Sequence, residues 1–270
     1  MFQVLSDKYF QLFKDIIYNE SGIHFSDINR PVLESRLRER ARVYQMDGIE
    51  EYYDLIISVE PELRLLLDSV TTNLTRFFRN SLHFETFSQI IIPEILARKK
   101  SEKFLRIWSA GCSTGEEPYS LAMVMEDLLS PGWTYEIVAS DLSFGVLTTA
   151  KEGFYIETRV DGIPENYLNK YFIKEEKGYK VIDSIKKNIR FDYHNLKNES
   201  GLRGLDIIFC RNVIIYFDRK AQEAVVKKFY NALKIGGYLF LGHSESLFGM
   251  DTPFKFYKTA KACIYRKQED

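Results

Sequence analysis

Long apolar runs are missing from this chain. No segment approaches the ~20 residues that a membrane-spanning helix needs. Residues 90–96 are apolar but interrupted by Pro93 and Glu94, and residues 121–125 and 213–217 are far shorter. Cysteine is also scarce. Cys112, Cys210 and Cys263 are odd in number and widely spaced, so no disulfide framework or zinc pattern is visible, and a reducing cytoplasm is the expected compartment. Neither sign of charge dominates: 37 Lys and Arg stand against 38 Asp and Glu, a net charge of −1. A generic binder of nucleic acid or membrane surface carries a basic excess, so neither partner is expected. The start, MFQVLSDKYF, lacks a basic region followed by an apolar stretch, and no signal peptide is expected. The histidines are scattered, and no metal ligation is expected.

What is present is an ordinary globular composition, 270 residues with 45% hydrophobic, long enough for one large domain or two unequal ones. Apolar residues recur at helical spacing over residues 9–17. A second helix is predicted to start near Asn29, with Pro31 in its first turn and Leu33, Leu37, Ala41 and Tyr44 on its inner face. Short helices follow at 49–59 and 62–70, so residues 1–75 read as a helical N-terminal domain. TTNLTRFFRN, residues 71–80, has no Gly or Pro and reads as an ordered linker. A helix over 82–99, kinked or split near Pro93, comes next.

Strands and helices then alternate. Strands are expected at 104–109, 135–140, 205–210 and 238–242, helices at 117–129, 144–151 and 219–234, and a closing hairpin at 254–257 and 262–266. Such alternation implies a mostly parallel sheet covered on both faces, here spanning 76–270. Lys177-Gly178 between apolar runs marks a hairpin, read as a small antiparallel β insertion at about 171–193.

The strongest motif is IWSAGCSTGEEPYSLAM, residues 107–123. A buried strand runs into a turn of small residues and then a helix, which is where α/β sheets bind nucleotides. Tight strand–helix packing would produce the same turn. Glu116 and Glu117 open the helix. Carboxylates there repel a phosphate and suit an ammonium group, although acidic residues also complement a helix dipole. Asp141 ends the second strand, where an acid commonly binds ribose hydroxyls. It stands equally well as a cap of the next helix, alongside Ser140 and Ser143. Together these features describe an adenosyl ligand without phosphates and with a free amino-acid end, and S-adenosylmethionine fits that description.

TTNLTRFFRN, SAGCSTGEEPYSLAM, ASDLS, HNL, FCRNVIIYFD and GHSES occur in order from Thr71 to Ser246. They resemble segments of the chemotaxis receptor glutamate methyltransferases, the CheR family, and the resemblance covers nearly the whole chain. It implies a class I S-adenosylmethionine-dependent methyltransferase fold, Rossmann-like with a mostly parallel sheet, joined to an all-helical N-terminal domain and a small antiparallel β insertion. The implied activity is methyl transfer to receptor glutamates, forming glutamyl methyl esters for sensory adaptation, with S-adenosylhomocysteine as the other product.

By the same resemblance Asn73, Thr75 and Arg79 line the cofactor and target site. Glu117 takes the cofactor's amino group, with Glu116 beside it. Asp141 binds the ribose, and Asn195 and Leu196 flank the adenine. Arg211 and Asn212 lie beside the methyl-donor end, and Tyr216 lies near the sulfonium. Arg79 and Tyr216 are the expected catalytic residues. By packing alone, Tyr216 would pass for a core aromatic, since it follows Val213, Ile214 and Ile215. His243 reads as a structural histidine, and Cys112 and Cys210 read as small apolar residues.

The chemistry asks little of a base. A glutamate acceptor, with an ordinary pKa of about 4.3, is already ionised at neutral pH. Alignment and desolvation are the enzyme's work, and an arginine can hold one carboxylate oxygen while the other attacks. The helix bearing Arg36, Arg38, Arg40 and Arg42 is the one basic cluster. It reads as a solvated face with Glu34 and Glu39 as partners. The resemblance makes it a docking surface for the helical cytoplasmic domain of methyl-accepting receptors, through Arg36, Arg40 and Arg42. The expected protein is a cytoplasmic monomer without membrane insertion. The short turn at Lys177-Gly178 favours an enzyme that does not bind a receptor tether.

Overall fold

The computed structural model describes residues 5–71, 73–259 and 262–268. The chain forms two compact units. The first is Met1–Thr72 together with Tyr216–Gln222, and the second is Asn73–Ile215 together with Glu223–Asp270. A single boundary near residue 75 does not anticipate the return of Tyr216–Gln222 to the first unit.

Helices α1 (Asp7–Ser21), α2 (Arg30–Val43), α3 (Ile49–Ser58) and α4 (Glu60–Val70) build the first unit. Each hides one stripe: Phe10, Phe13 and Ile17 on α1, Leu33, Leu37 and Ala41 on α2, Tyr52 and Ile56 on α3, Leu66 and Leu67 on α4. Burial of each such aliphatic or aromatic side chain contributes about 1.5–3 kcal/mol. Pro31 sits in the first turn of α2, where its missing N–H costs nothing. Tyr44, expected on the inner face, is partly exposed, but its hydroxyl turns inward to donate to Glu62 at 2.6 Å. The returning segment is tied in by the backbone. Ile23 bridges Phe217, His24 N–H donates to the Tyr216 carbonyl at 2.8 Å, and the Tyr18 hydroxyl donates to Asp218 at 2.9 Å.

Arg40 requires a correction. Its guanidinium is folded into the first unit and holds Glu62 through Nε at 2.9 Å and Nη2 at 2.7 Å. The Glu62 side chain is completely buried and also accepts from Tyr52 at 2.6 Å. Burial pushes the Glu62 carboxyl up, but Arg40 and the two tyrosine hydroxyls outweigh it and hold it below its ordinary value. A charge held in this way is part of the unit's interior and is not a docking contact.

The second unit opens with α5 (Ser81–Thr86), a π-helical turn at Phe87–Ile91 and α6 (Ile92–Arg98). The wide turn stands immediately before Pro93, the residue that cannot donate to the helical ladder. Then follow β1 (Phe104–Ala110), α7 (Glu116–Leu128), β2 (Thr134–Asp141), α8 (Phe144–Glu152), β3 (Phe154–Tyr155), α9 (Glu157–Val160), α10 (Glu165–Tyr171), β4 (Phe172–Glu175), β5 (Gly178–Val181), α11 (Asp183–Lys186), β6 (Ile189–Tyr193) and β7 (Leu205–Cys210). The unit closes with α12 (Arg219–Ala232), which starts in the returning segment, then β8 (Leu233–Leu241), β9 (Lys255–Tyr257) and β10 (Ile264–Arg266).

The main sheet has seven strands in the order β6-β2-β1-β7-β8-β10-β9. Its first five are parallel, and β10 and β9 close the edge antiparallel. Every residue of β7 is buried, as a strand covered on both faces requires. Phe209 and Phe240 stack with ring centroids 4.2 Å apart, and Phe87 meets Phe209 edge-on. The chain winds from β1 outward through β2 to β6, then returns to lay β7 on the other side of β1. That reversal leaves a crevice at the carboxyl ends of β1 and β7, where such sheets take their ligands.

The β insertion is smaller than the sequence suggests at one end and larger at the other. It is a three-stranded antiparallel sheet, β3-β5-β4, while Ile189–Tyr193 is the parallel edge strand of the main sheet. The two-residue strand β3 has no signal of its own, because its pairing partner lies more than twenty residues away. Phe77 of the linker is buried against the insertion, edge-on to Tyr155 and Phe172. The order read from the linker's composition thus has a packing cause, although Thr72 lies outside the described residues. Among the described residues no helix is long and apolar enough to cross a membrane.

Candidate functional site

Four loops at the carboxyl ends of parallel strands carry most of the expected cofactor residues, and the linker supplies Asn73, Thr75 and Arg79. The turn after β1 is fastened to the end of β2, because Gly111 and Cys112 N–H groups donate to the Ser140 carbonyl at 2.8 and 2.9 Å. Gly111 adopts φ +81°, and a Cβ there would lie 2.4 Å from Val213 of the loop after β7. Only glycine lets those two loops close on each other.

Asp141 is not the cap of α8. The cap of α8 is Ser143, whose hydroxyl accepts from Val146 N–H. Asp141 instead spans two loops, accepting from Ser113 N–H at 2.8 Å and Ser143 N–H at 3.0 Å. The His194 N–H donates to the Asp141 carbonyl at 2.9 Å, which places Asn195 and the buried Leu196 next along the chain. Asn195 Oδ1 accepts from Lys197 N–H at 2.9 Å.

The two acids at the start of α7 have different work. Glu116 is fully buried and held by the Thr114 hydroxyl at 2.7 Å and by the guanidinium of Arg159 on α9. It is a structural anion. Glu117 turns to the crevice, accepting from the Ser109 hydroxyl at 2.7 Å and from Arg211 Nη1 at 3.2 Å. Burial holds its carboxyl above the usual range despite Arg211, Ser109 and Arg79 nearby. Of the two acids only Glu117, not already closed by a short ion pair, is left for the expected amino-group role.

Arg211 joins the loop after β7 to the linker. Its other terminal nitrogen donates to the Arg79 carbonyl, and burial lowers its pKa below the ordinary arginine value. Arg79 donates to the Leu74 carbonyl at 2.8 Å, and its positive field acts on both Glu117 and Arg211. The Asn73 carbonyl accepts from the Ser113 hydroxyl at 3.1 Å, and the half-buried Thr75 lies between these contacts in sequence. Asn73, Arg79, Glu117, Asp141 and Arg211 are thus linked through two short hydrogen-bonded chains. Tyr216 belongs to the first unit, where its carbonyl accepts from His24.

The site loops are strained. Phe78, Asn80, Ser113 and Asn212 all have positive φ, at 50°, 58°, 49° and 60°. A non-glycine residue in this region costs on the order of 1–3 kcal/mol, and such residues collect at functional sites. Two buried polar atoms, Arg211 Nε and Asn212 Oδ1, have no hydrogen-bond partner. Arg38, His83, His194, Tyr238 and Arg266 carry such atoms too, so it is the pairing of a donor and an acceptor on adjacent residues of a site loop that suits a ligand. A zwitterionic amino-acid end fits them, with a carboxylate to accept from the guanidinium and an ammonium group to donate to the amide oxygen and to Glu117.

Three features escaped the sequence. The Arg159 partner of Glu116 is one. Glu245 in GHSES is another, a buried carboxylate bound to four backbone N–H groups. The third is His83, buried behind Arg211 with Nδ1 unpartnered and its pKa pushed down to about 4 by burial, Arg211 and His243. His243 itself is exposed, contrary to its reading as a structural histidine. Cys112 and Cys210 are buried, and burial pushes both thiols up, which keeps them unreactive. Among the described residues no group of His, Cys, Asp and Glu is placed to hold a metal ion.

A strand order that reverses at β1, with Asp141 at the end of β2 and Glu117 at the start of α7, is the arrangement expected of an S-adenosylmethionine-dependent methyltransferase. Residues 73–263 match the CheR methyltransferase, SAM binding domain, and residues 8–71 match the CheR methyltransferase, all-alpha domain. Similar curated proteins include the chemotaxis protein methyltransferase 2 of Vibrio cholerae, 34% identical over 98% of this chain and 94% of that protein. The chemotaxis protein methyltransferase of Borreliella burgdorferi is 37% identical over 91% of this chain and 90% of its own length. That of Escherichia coli is 35% identical over 93% and 88%. The chain belongs to the CheR methyltransferase family, uses S-adenosylmethionine and acts in chemotaxis.

Proposed function

We propose that the protein methylates glutamate side-chain carboxylates on the helical cytoplasmic domain of chemotaxis receptors, forming methyl esters for sensory adaptation. The observation that carries this reading is the position of Arg79: its positive field acts on both Glu117 and Arg211, so a guanidinium stands beside the expected amino-acid end of the cofactor, where an incoming carboxylate can pair with it. When bound, S-adenosylmethionine supplies an activated methyl group on a positively charged sulfur.

The chain's own residues bind, orient and exclude water. Glu117 and Asn212 Oδ1 take the cofactor's ammonium group, Arg211 Nε takes its carboxylate and Asp141 takes the ribose hydroxyls. Asn195 and Leu196 flank the adenine, and Asn73 and Thr75 line the approach. Arg79 holds one oxygen of the acceptor glutamate so that the other points at the methyl group. Tyr216 keeps the catalytic role that the family resemblance implies. No proton has to move, because the acceptor is ionised before it arrives.

Docking in this reading uses Arg36 and Arg42, both exposed on α2, against acidic positions of the receptor helix. Arg40, committed to Glu62, has no part in it. The β4–β5 turn, of only two residues, favours an enzyme that works without a receptor tether. The protein acts as a cytoplasmic monomer.

The test uses purified protein, methyl-labelled S-adenosylmethionine and receptor cytoplasmic fragments, followed by mild alkali. Label that enters the fragments and is released as methanol is the expected result, since methyl esters hydrolyse and N-methyl groups do not. Label that survives alkali, or that never enters the fragments, overturns the glutamate assignment.

A further inference from the structure

We infer that Glu245 is a positioning residue that sets the catalytic loop after β7, and through it the Arg211 bridge between Glu117 and Arg79; this rests on the functional reading above. The Glu245 side chain is buried in the loop after β8 and contacts the site loop only through backbone N–H groups. Its Oε2 accepts from Asn212 N–H at 2.8 Å and Gly242 N–H at 2.6 Å. Its Oε1 accepts from Val213 N–H at 2.9 Å and Ile215 N–H at 3.3 Å. One side chain thus gathers three donors of a single loop and fastens them to the neighbouring strand.

The need for such a clamp follows from the backbone. Asn212 is held at φ 60°, and the N–H groups of 212, 213 and 215, past the end of β7, donate to Glu245. Unpaired and buried, each would cost about as much as a lost hydrogen bond. A carboxylate is the one side chain that offers two oxygens and no donor, and hydrogen bonds to it are about twice as strong as neutral ones. The clamp fixes Asn212 in its left-handed conformation and so fixes the direction in which Arg211, one residue earlier, leaves the strand. Arg211 then reaches Glu117 and the Arg79 carbonyl at the same time. Misplacement of this loop by about 1 Å is enough to cost on the order of 100-fold in rate.

Glycine at 242 belongs to the same device. A Cβ there would stand 2.6 Å from Glu245 Oε2 and 2.8 Å from Asn212 N, so any side chain would wedge the clamp open. Gly242→Ala therefore perturbs the loop without removing the carboxylate and serves as a second, independent variant.

The test compares wild type, Glu245→Gln, Glu245→Asp and Gly242→Ala by amide hydrogen exchange and by methyl-transfer kinetics on receptor fragments. An amide side chain in place of the carboxylate presents an NH2 group to two of the four donors. The expected result is faster exchange at residues 212, 213, 215 and 242 in Glu245→Gln and Gly242→Ala, with the strands β7 and β8 still protected. Turnover falls on the order of 100-fold, with a smaller rise in KM for the cofactor. Glu245→Asp, which keeps both oxygens, recovers part of the turnover. Unchanged exchange at those amides, or unchanged kcat in variants that lose protection there, overturns the inference. A wild-type protein that methylates no receptor fragment defeats the functional reading instead, and the exchange pattern still decides whether the clamp exists.

Discussion

Two of the arginine–glutamate pairs in this chain, Arg40–Glu62 and Arg211–Glu117, differ in how completely they are satisfied. In the helical unit Glu62 meets Arg40 through two nitrogens and two tyrosine hydroxyls, and its pKa falls. In the second unit Glu117 meets Arg211 through one 3.2 Å contact, its pKa rises, and Arg211 Nε is left without a partner. The first pair is closed and rigid. The second is held part-way to completion by burial, and in the proposed reading the amino-acid end of the cofactor completes it. In the proposed reading the first pair is structural and the second functional, and the difference lies in how far each is satisfied.

The sharpest way to break this comparison is to remove Glu62. Glu62→Ala leaves Arg40 and two hydroxyls facing each other in a buried space and is expected to cost about 3–5 kcal/mol of stability. The affinity for S-adenosylhomocysteine should not change. Because the folded-state pKa of Glu62 is lowered, its contribution is present above its ordinary value of 4.5 and is lost as pH falls through the folded-state pKa. Denaturation curves should show the gap between wild type and variant closing on acidification. A gap that stays constant would mean the pair is not what supports the unit.

Next in size is Arg79→Ala, which removes the guanidinium proposed to hold the acceptor carboxylate. Turnover should drop on the order of 100- to 1,000-fold, comparable to the loss of one preorganised electrostatic contact, while calorimetric affinity for the cofactor is retained. Collapse of that affinity would place Arg79 on the cofactor and not on the acceptor.

Glu117→Gln is the mildest of the three. It should weaken the cofactor by roughly 10- to 100-fold, the value of a charged hydrogen bond. Its pH signature is more telling. The raised carboxyl of Glu117 must be ionised to hold an ammonium group, so wild-type affinity should fall as pH drops through that raised pKa. The variant should bind with a flat profile over the same window. Equal slopes in both proteins would remove Glu117 from the amino-group role.

Much of this architecture was legible in the sequence. The parallel sheet follows from β1 and β7 being short apolar runs separated by helical patterns, and the site loops follow from small residues where those runs end. Arg40 was legible too, but misread. It stands on the stripe 33, 37, 40, 44, so the helical period that assigns Tyr44 inward also assigns Arg40 inward. The carboxylates at 116 and 245 were not legible. Glu116 is told from Glu117 only by Arg159, 43 residues away, and Glu245 is explained only by N–H groups some 30 residues upstream. Local pattern carries no information on such partners. The two-residue strand β3 is hidden for the same reason.

The return of Tyr216–Gln222 to the first unit has a consequence in time as well as in space. The helices from Asp7 to Val70 leave the ribosome early, yet Tyr18 waits for Asp218, 200 residues later. At about 5–20 residues per second, that interval is roughly 10–40 s. For that long the nascent helical unit has Ile23 without its bridge and His24 without its acceptor. A cut at the linker would make the delay permanent, so the boundary that divides the sequence most cleanly is a poor place to divide the protein.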